Sequence, residues 1–546
     1  MPVILTIDGR TISAAAGPSL FDYAEGLGVR VPTSCQKHGK CKECIVEVTC
    51  GGDALSPPTE HERHLKGSFR LSCRTHVTAE HGDVRCHTMR RAQMRIERHA
   101  LELPVSHDQV ALDPAVTRDG DRVLVDSVEI DRRPGPLHGI AMDLGTTTIV
   151  LRLIDLGTGE LVAEASFENP QRFGGSDVMS RIHYDTQHRG KLLMRTVAGY
   201  IRHAIEEFPV DPTTIYEMVV VGNSTMRDVF FRQDVYSIGQ NPYRSITEIE
   251  MEAGKRDSTR LITTGRRSLL PIHPKARVYG APVISGHVGA DAAACMLAVD
   301  LANERRLVAI MDIGTNTELI VGNRDRIVAA SCPAGPAFEG GAIACGMPAL
   351  DGAIDTVVAN DDGTFSVSVI GDVPASGLCG SGLIDLISEL LRTRRMNEMG
   401  RFEDVTRVTV DAEHDVFFLE SDVNELAQAK GANVAGLHVV FSQYGITFDD
   451  IDVFYLAGGF GRHINVEAAR RIGLIPQLPT SRIKRVGNAA IEGATLALVS
   501  RTKRDELERI VRRVEHCRLE THPRFFDFFV EGCQFKPVTP MPQVAG

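Results

Sequence analysis

No stretch of this chain approaches the roughly 18 consecutive apolar residues of a membrane-spanning helix. The start, Met1-Pro2-Val3-Ile4-Leu5-Thr6-Ile7-Asp8, lacks the basic and apolar segments of a secretory signal. Basic runs and basic-aromatic stripes are missing as well, and the net charge is −11, which argues against a nucleic-acid partner. The twelve cysteines lack the short paired spacings of a disulfide framework, as expected in a reducing compartment. Together these absences lead us to expect a cytoplasmic protein without membrane or nucleic-acid contacts. What remains is 546 residues, 43% hydrophobic and 24% charged, enough for roughly three or four globular domains with cores of their own.

Four of the cysteines form a pattern with chemical meaning. Cys35, Cys41 and Cys44 fall in Cys35-Gln36-Lys37-His38-Gly39-Lys40-Cys41-Lys42-Glu43-Cys44, a C-x5-C-x2-C spacing, and Cys73 follows in Leu71-Ser72-Cys73-Arg74. A 2Fe–2S cluster takes four thiolates, and three on one tight loop with a fourth from a distant strand can supply them. Gly39 relieves the loop where backbone bends close to sulfide, and Lys37, Lys40 and Lys42 soften the negative charge. A structural zinc site is the competing reading, but it usually shows two short cysteine pairs, and only one is present. Cys50 and Cys86 lie outside the pattern and read as ordinary thiols. The first spacing looks like that of the vertebrate-type ferredoxins. The order of elements resembles the β-grasp ferredoxins: a hairpin over Val3 to Ala14 turned at Asp8-Gly9, a helix from a Ser19 cap to Gly28, the cysteine loop, then a strand over Ile45 to Val48. Residues 1–88 are expected to form this domain.

Residues 89–138 read as a linker with little core. Arg90, Arg91, Arg95 and Arg98 mark a charged helical piece, while Asp119-Gly120-Asp121 and Pro134-Gly135-Pro136 are turn signals around room for a short hairpin. Its expected job is to let the cluster domain move.

From Gly139 strands and helices alternate, and one motif occurs twice. Asp143-Leu144-Gly145-Thr146-Thr147 and Asp312-Ile313-Gly314-Thr315-Asn316 each sit between apolar strands. Glycine lets backbone approach a phosphate, and amides with Thr hydroxyls can donate to its oxygens. Each Asp can hold a Mg2+ shell or orient a water, which makes Asp143 and Asp312 the catalytic candidates. A third turn, Gly458-Gly459, follows another apolar strand and could admit adenine or ribose against bare backbone; an ordinary strand-to-helix turn is the alternative. Gly380-Ser381 opens an apolar helix whose amides could face an anion, or could simply pack.

The paired Asp hairpins, the later Ala-Gly-Gly turn and small-residue helices resemble the superfamily of acetate and sugar kinases, heat-shock chaperones and actin. The whole chain is more specifically similar to the reductive activators of corrinoid proteins. The stretches that carry this likeness include Asn169-Pro170-Gln171, Val221-Gly222-Asn223-Ser224-Thr225-Met226, Gly286-His287-Val288-Gly289-Ala290-Asp291 and Cys332-Pro333-Ala334-Gly335-Pro336-Ala337-Phe338-Glu339-Gly340-Gly341. The second hairpin departs from the family in carrying Asn316-Thr317 where a glycine is commoner. The resemblance implies an α/β multidomain chain: a β-grasp 2Fe–2S ferredoxin domain, a linker, then a two-lobed ribonuclease-H-like, actin-like ATPase. Residues 139–210 would be a middle region or the first ribonuclease-H-like half, and 211–546 the ATP-binding domain. It also implies ATP-dependent reduction of Co(II) to Co(I) on the corrinoid protein of a methyltransferase or O-demethylase system, with a reductase or ferredoxin as electron donor; a homodimer stays open. One rival is an ATP-driven donor to another low-potential metalloenzyme, but such activators carry a 4Fe–4S cluster, against the cysteine spacing. The other is a redox-sensing module that binds nucleotide without turnover, which two complete Asp hairpins disfavour.

Overall fold

The computed structural model describes residues 2–89, 103–188, 190–403, 405–459 and 463–539; the arginine-rich piece at 90–98 lies outside them. The chain divides into two compact units. One holds 1–93, 112–281 and a short return at 498–501, and the other holds 94–111, 282–497 and 502–546.

The first unit starts with strands Val3–Ile7 and Arg10–Ala14, where Val3, Leu5 and Ile7 alternate inward. Asp8 and Gly9 both take positive φ, 47° and 79°, the turn that the right-handed twist of a tight hairpin demands. Ser19 caps the helix Leu20–Gly26 in a capping box with Asp22. The five-stranded sheet runs Arg10–Ala14, Val3–Ile7, Gly82–Thr88, Ile45–Cys50, Phe69–Leu71, with Val3–Ile7 parallel to Gly82–Thr88. The segment read as a linker contains an antiparallel meander, Val116–Asp119, Arg122–Val125 and Val128–Arg132, rather than one hairpin.

A six-stranded sheet follows in the order Leu161–Glu168, Thr148–Asp155, His138–Leu144, Ile215–Val221, Arg277–Gly280, Leu261–Thr264. The three strands earliest in sequence form an antiparallel meander; Ile215–Val221 then pairs in parallel with His138–Leu144 after a crossover through the helix Leu192–Glu206. Every residue of Ile215–Val221 is buried, as suits a central strand covered on both faces. A boundary at 210 falls inside this sheet, between the crossover helix and the strand it delivers.

The expectation of a mobile cluster arm is corrected here. Val3, Leu5, Phe21, Ile45 and Leu71 of the ferredoxin segment share one apolar core with Phe173, Tyr184, Leu193, Met194 and Ile238. The Tyr184 hydroxyl donates to the His64 carbonyl at 2.8 Å, and Arg30 pairs with Glu207 at 2.7 Å. Burial of apolar surface on this scale holds the segment against the helices Val178–Gln187 and Leu192–Glu206.

The second unit repeats the plan. Val308–Asp312, Thr317–Gly322 and Ile327–Cys332 form an antiparallel meander, and Val453–Ala457 adds in parallel to the Val308–Asp312 strand after the long helix Glu420–Tyr444. Ile483–Gly487 extends the sheet in parallel. Gly436 brings that helix onto the sheet, since a Cβ there would lie 2.1 Å from Cys332 Sγ. Both units are thus built on a ribonuclease-H-like sheet. Among the described residues no helix is long and apolar enough to cross a membrane.

Candidate functional site

Cys35, Cys41, Cys44 and Cys73 come together as two pairs. Cys44 and Cys73 hold their sulfurs 3.3 Å apart, and the Cys41 side chain stands close enough to the Cys35 sulfur to favour its ionised form. Among the described residues no three His, Cys, Asp or Glu side chains converge on a point able to hold one metal ion. Two thiolate pairs are the arrangement that two adjacent irons require, and a single tetrahedral zinc would need all four together.

The loop is shaped to accept negative sulfur. Burial works against ionisation of Cys35, yet amides of Cys41, Lys40 and His38 donate to its sulfur and bring its pKa below the ordinary thiol value. For Cys41 burial prevails over the Ser34 and Glu43 amides and raises it. The hydrogen bond from Cys44, opposed by burial and aided by Arg74, lowers Cys73 to about 7; the same bond, with burial, raises Cys44. Gln36, Lys37, Gly39 and Lys42 all take positive φ, and Gly39, at 69°, also meets the Arg74 guanidinium so closely that a Cβ would lie 2.6 Å from its Nε. The donor set therefore fits a 2Fe–2S group. Lys37 differs from expectation, being held by Asp22 and Glu25, both at 2.7 Å; Lys42 donates to the His61 carbonyl and stands close enough to Cys44, Cys73 and Cys41 for its charge to attract theirs, as expected. Cys50 is exposed at a strand end and Cys86 is buried in the Gly82–Thr88 strand.

Each Asp hairpin is held by residues the motif alone does not show. In the first unit Asp143 lies near the end of its strand, and the turn Gly145-Thr146-Thr147 is clamped from two sides. Asn169 donates its side-chain amide to the Gly145 carbonyl at 2.8 Å, and its backbone N–H to that of Thr147 at 2.7 Å. Asn223 donates to the Thr146 hydroxyl at 2.8 Å. In the second unit Asp312 ends its strand half-buried; burial of its carboxyl lifts it to about 6, while the Cys295 thiol, donating at 3.2 Å, holds it down. Glu318, across the hairpin, is raised well above the carboxylate range by burial and by the negative charges of Asp291 and Asp312. Thr315 donates its hydroxyl to Glu339, and the Gly335 amide donates to the Thr315 carbonyl at 2.8 Å, which gives the Cys332 to Gly341 stretch its role.

The two hairpins share one further detail. Gly222, after the parallel strand, sits so close that a Cβ would lie 2.5 Å from the Leu144 carbonyl; Gly458 stands in the same relation to Ile313 at 2.3 Å. Gly459 is exposed with open space around it. Phe460, Gly461 and Arg462 lie outside the described residues. Gly380 and Ser381 are buried in the first turn of the helix Gly380–Arg392, whose start packs on the strand Ala353–Ala359: the Cys379 thiol donates to the Ile354 carbonyl at 3.4 Å. Asn169, Asn223, Cys295, Glu318 and Glu339 were not singled out from sequence, although four of them stand in or beside stretches quoted above.

A ferredoxin-type domain with paired cysteines, joined to two ribonuclease-H-like sheets with Asp hairpins, defines an iron–sulfur protein with an actin-like half. Comparison with known proteins gives the particular family. Residues 5–78 match the 2Fe-2S iron-sulfur cluster binding domain, 138–304 the RACo middle region, and 306–545 the C-terminal domain of RACo, the ASKHA domain. The corrinoid activation enzyme RamQ of Eubacterium limosum is 31% identical over 447 residues, covering 76% of this chain and 73% of that protein. The [Co(II) methylated amine-specific corrinoid protein] reductase of Methanosarcina barkeri is 25% identical over 429 residues, 72% of this chain and 76% of the other. Among solved structures, a reductive activator for corrinoid,iron-sulfur protein matches with a TM-score of 0.72 at 25% identity and 98% coverage of both chains. The chain belongs to the RACo family of corrinoid activators.

Proposed function

We propose that the protein passes one electron to the Co(II) corrinoid of a partner methyltransferase or O-demethylase protein, giving Co(I), with ATP as the coupled source of free energy. One observation carries the reading: paired cysteines on a ferredoxin fold share a chain with two ribonuclease-H-like sheets, each bearing an Asp hairpin. When bound, a 2Fe–2S cluster supplies a one-electron donor, near about −400 mV in plant-type ferredoxins. Cys35, Cys41, Cys44 and Cys73 are its proposed ligands, and the loop amides offset their negative charge. The Co(II)/Co(I) couple of the substrate is expected to be harder to reduce, so the step needs an input beyond the electron itself. ATP can supply it by favouring one conformation over another. Asp143 and Asp312 are proposed to orient water or hold Mg2+. Gly145, Thr146 and Thr147, with Gly314, Thr315 and Asn316, would present amides and hydroxyls to phosphate oxygens. Gly458 and Gly459 would admit the adenosine, and the amides at Gly380 and Ser381 would complete the anion site. A separate reductase or ferredoxin would restore the electron.

The test follows the corrinoid optically, with partner, electron source and nucleotide added singly and together. Co(I) should form only when an electron source and hydrolysable Mg·ATP are both present. Full reduction at the same rate and extent without nucleotide would sink the coupling.

A further inference from the structure

The cysteine loop meets solvent unevenly. Cys35 is half-buried, whereas Cys41, Cys44 and Cys73 are buried. Cys35 and Cys41 line a pocket of about 300 Å³ between the loop and the helix Leu192–Glu206. Gly199 lets the loop approach that helix, because a Cβ there would lie 2.8 Å from Glu43 Cγ.

Three cations line the same pocket: Lys40 from the loop, and Arg195 and Arg202, two turns apart on the helix. Arg202 donates to the Leu269 carbonyl at 2.6 Å, which fixes its position and keeps its charge. Lys40 and Arg195 are exposed, and neither side chain has a hydrogen-bond or ion-pair partner among the described residues. The carboxylate in the lining, Glu43, is buried and takes the Ser34 hydroxyl at 2.6 Å, so it pairs with neither. The other two lysines of the loop are engaged elsewhere, Lys37 with Asp22 and Glu25, Lys42 with the His61 carbonyl. The chain carries a net charge of −11, so a cationic rim at its most open cluster ligand runs against the average field of the protein. The loop and the helix belong to one apolar core, which holds the spacing of the three cations.

We propose that this pocket is the docking site of the electron donor, a small acidic electron-carrier protein of flavodoxin or plant-type ferredoxin chemistry. Its surface carboxylates seat on Lys40, Arg195 and Arg202, and its redox centre is brought over Cys35. The inference rests on the 2Fe–2S reading of the cysteines and is independent of the nucleotide and cobalt steps. One electron leaves the reduced carrier, which is oxidised by one, and the iron centre held by the cysteines is reduced by one; no bond forms or breaks. A patch of three charges around one pocket suits a short-lived redox encounter, of the small class under about 1,200 Å². It is less suited to the larger face needed to grip and remodel a corrinoid protein. Charges at such a rim act mainly on association rate and on salt dependence.

The experiment uses the full chain loaded with iron and sulfide, a fluorescently labelled flavodoxin, and the double variant Lys40→Glu, Arg195→Glu. Binding is read by anisotropy at low and at physiological ionic strength. The parent should bind more tightly at low salt. The variant should lose about tenfold or more in affinity there, together with most of its salt dependence. Lys40→Arg with Arg195→Lys should restore both. In stopped flow, reduction by flavodoxin hydroquinone should slow in step, while reduction by the cationic methyl viologen radical should hold or quicken. Unchanged flavodoxin affinity overturns the proposal. So does an equal slowing with both reductants accompanied by an altered visible spectrum, which would make these residues supports of the cluster. Intact flavodoxin binding with loss of binding to the corrinoid partner overturns it too, by giving the patch to the acceptor. A chain that takes up no iron shows this in its absorbance before any carrier is added, and fails the cysteine reading and this one together.

Discussion

Gly458 and Cys73 show how single atoms set the limits at the two sites. Gly458 has φ of 106°, and a Cβ would meet the Ile313 carbonyl at 2.3 Å. Gly458→Ala therefore combines backbone strain with a clash against fixed backbone. It should destabilise the second unit by about 2–4 kcal/mol, seen as a lower Tm, with the visible absorbance of the iron centre unchanged at low temperature. Cys73→Ser should lose that absorbance, because a hydroxyl is a poor substitute for a thiolate on iron. Cys50→Ser, exposed at a strand end, should keep it. Cys86→Ser should keep it too, but should lose about 1–3 kcal/mol of stability, since a hydroxyl buried at that point of the strand replaces an apolar thiol. A normal spectrum in Cys73→Ser together with loss in Cys50→Ser would reassign the fourth ligand. The cysteines were legible because their chemistry is carried by spacing. The clamps Asn169 and Asn223 were legible only as motif letters, because each acts on a hairpin far from it in sequence.

At the scale of elements, the helix Glu420–Tyr444 is the spine of the second unit, and it carries a charge inside. Lys430 is buried and donates to the carbonyls of Gly532 and Gln534, the latter at 2.7 Å, with its ammonium over the Phe535 ring. Burial pushes it down to about 7, the nearby Cys533 opposing. The unfolded chain keeps that lysine protonated up to about pH 10. Between about 7 and 10 the unfolded state therefore binds more protons than the folded one, so this group's contribution to stability rises with pH across that window and is lost as pH falls through about 7. Parent and Lys430→Met should accordingly diverge. The Tm of the parent, relative to the variant, should climb between pH 7 and pH 9, as read by differential scanning. A constant difference across that range would mean that Lys430 titrates alike in both states. The sequence shows this lysine as one more polar residue on a long helix; only the docking of the C-terminal helix Phe525–Gly532 against it buries the charge.

For the whole molecule, the ferredoxin segment shares one apolar core with the helices Val178–Gln187 and Leu192–Glu206 of the first unit, so the two parts are expected to unfold together. Phe173 lies in their shared core next to Tyr184, with ring centroids 5.4 Å apart. Phe173→Ala should cost about 3–5 kcal/mol. Bleaching of the iron centre and loss of far-ultraviolet ellipticity from the first unit should then move down in temperature together. If bleaching stays at the parent temperature while ellipticity shifts, the two parts do not share a core. For the same reason, removing residues 1–88 would uncover Phe173, Leu193 and Met194, so the shortened chain should aggregate or lose stability as well as its iron.

The sequence by itself determined the chemistry that depends on spacing and on local backbone. The Cys35, Cys41, Cys44 spacing, the Asp8-Gly9 turn, the Ser19 cap and the duplicated Asp hairpins are all short-range patterns, and the structure places the turn, the cap and the hairpins on the elements expected of them; Cys73 comes from the short turn Ser72–Arg74 rather than from a strand. It also carried the family likeness, because the motif stretches run along the chain in order. Tertiary structure decided what depends on contacts between distant residues. It turned an expected mobile arm into a docked domain, sorted the four thiols into two pairs, and took Lys37 out of the cluster's surroundings into an ion pair with Asp22 and Glu25. It also set Arg195 of a crossover helix beside Lys40 of the cysteine loop. The physical reason is the same in each case. Hydrophobic burial is non-directional and records no sequence separation, so the apolar face that covers a segment, and the charges that come with it, are fixed only when the chain has packed.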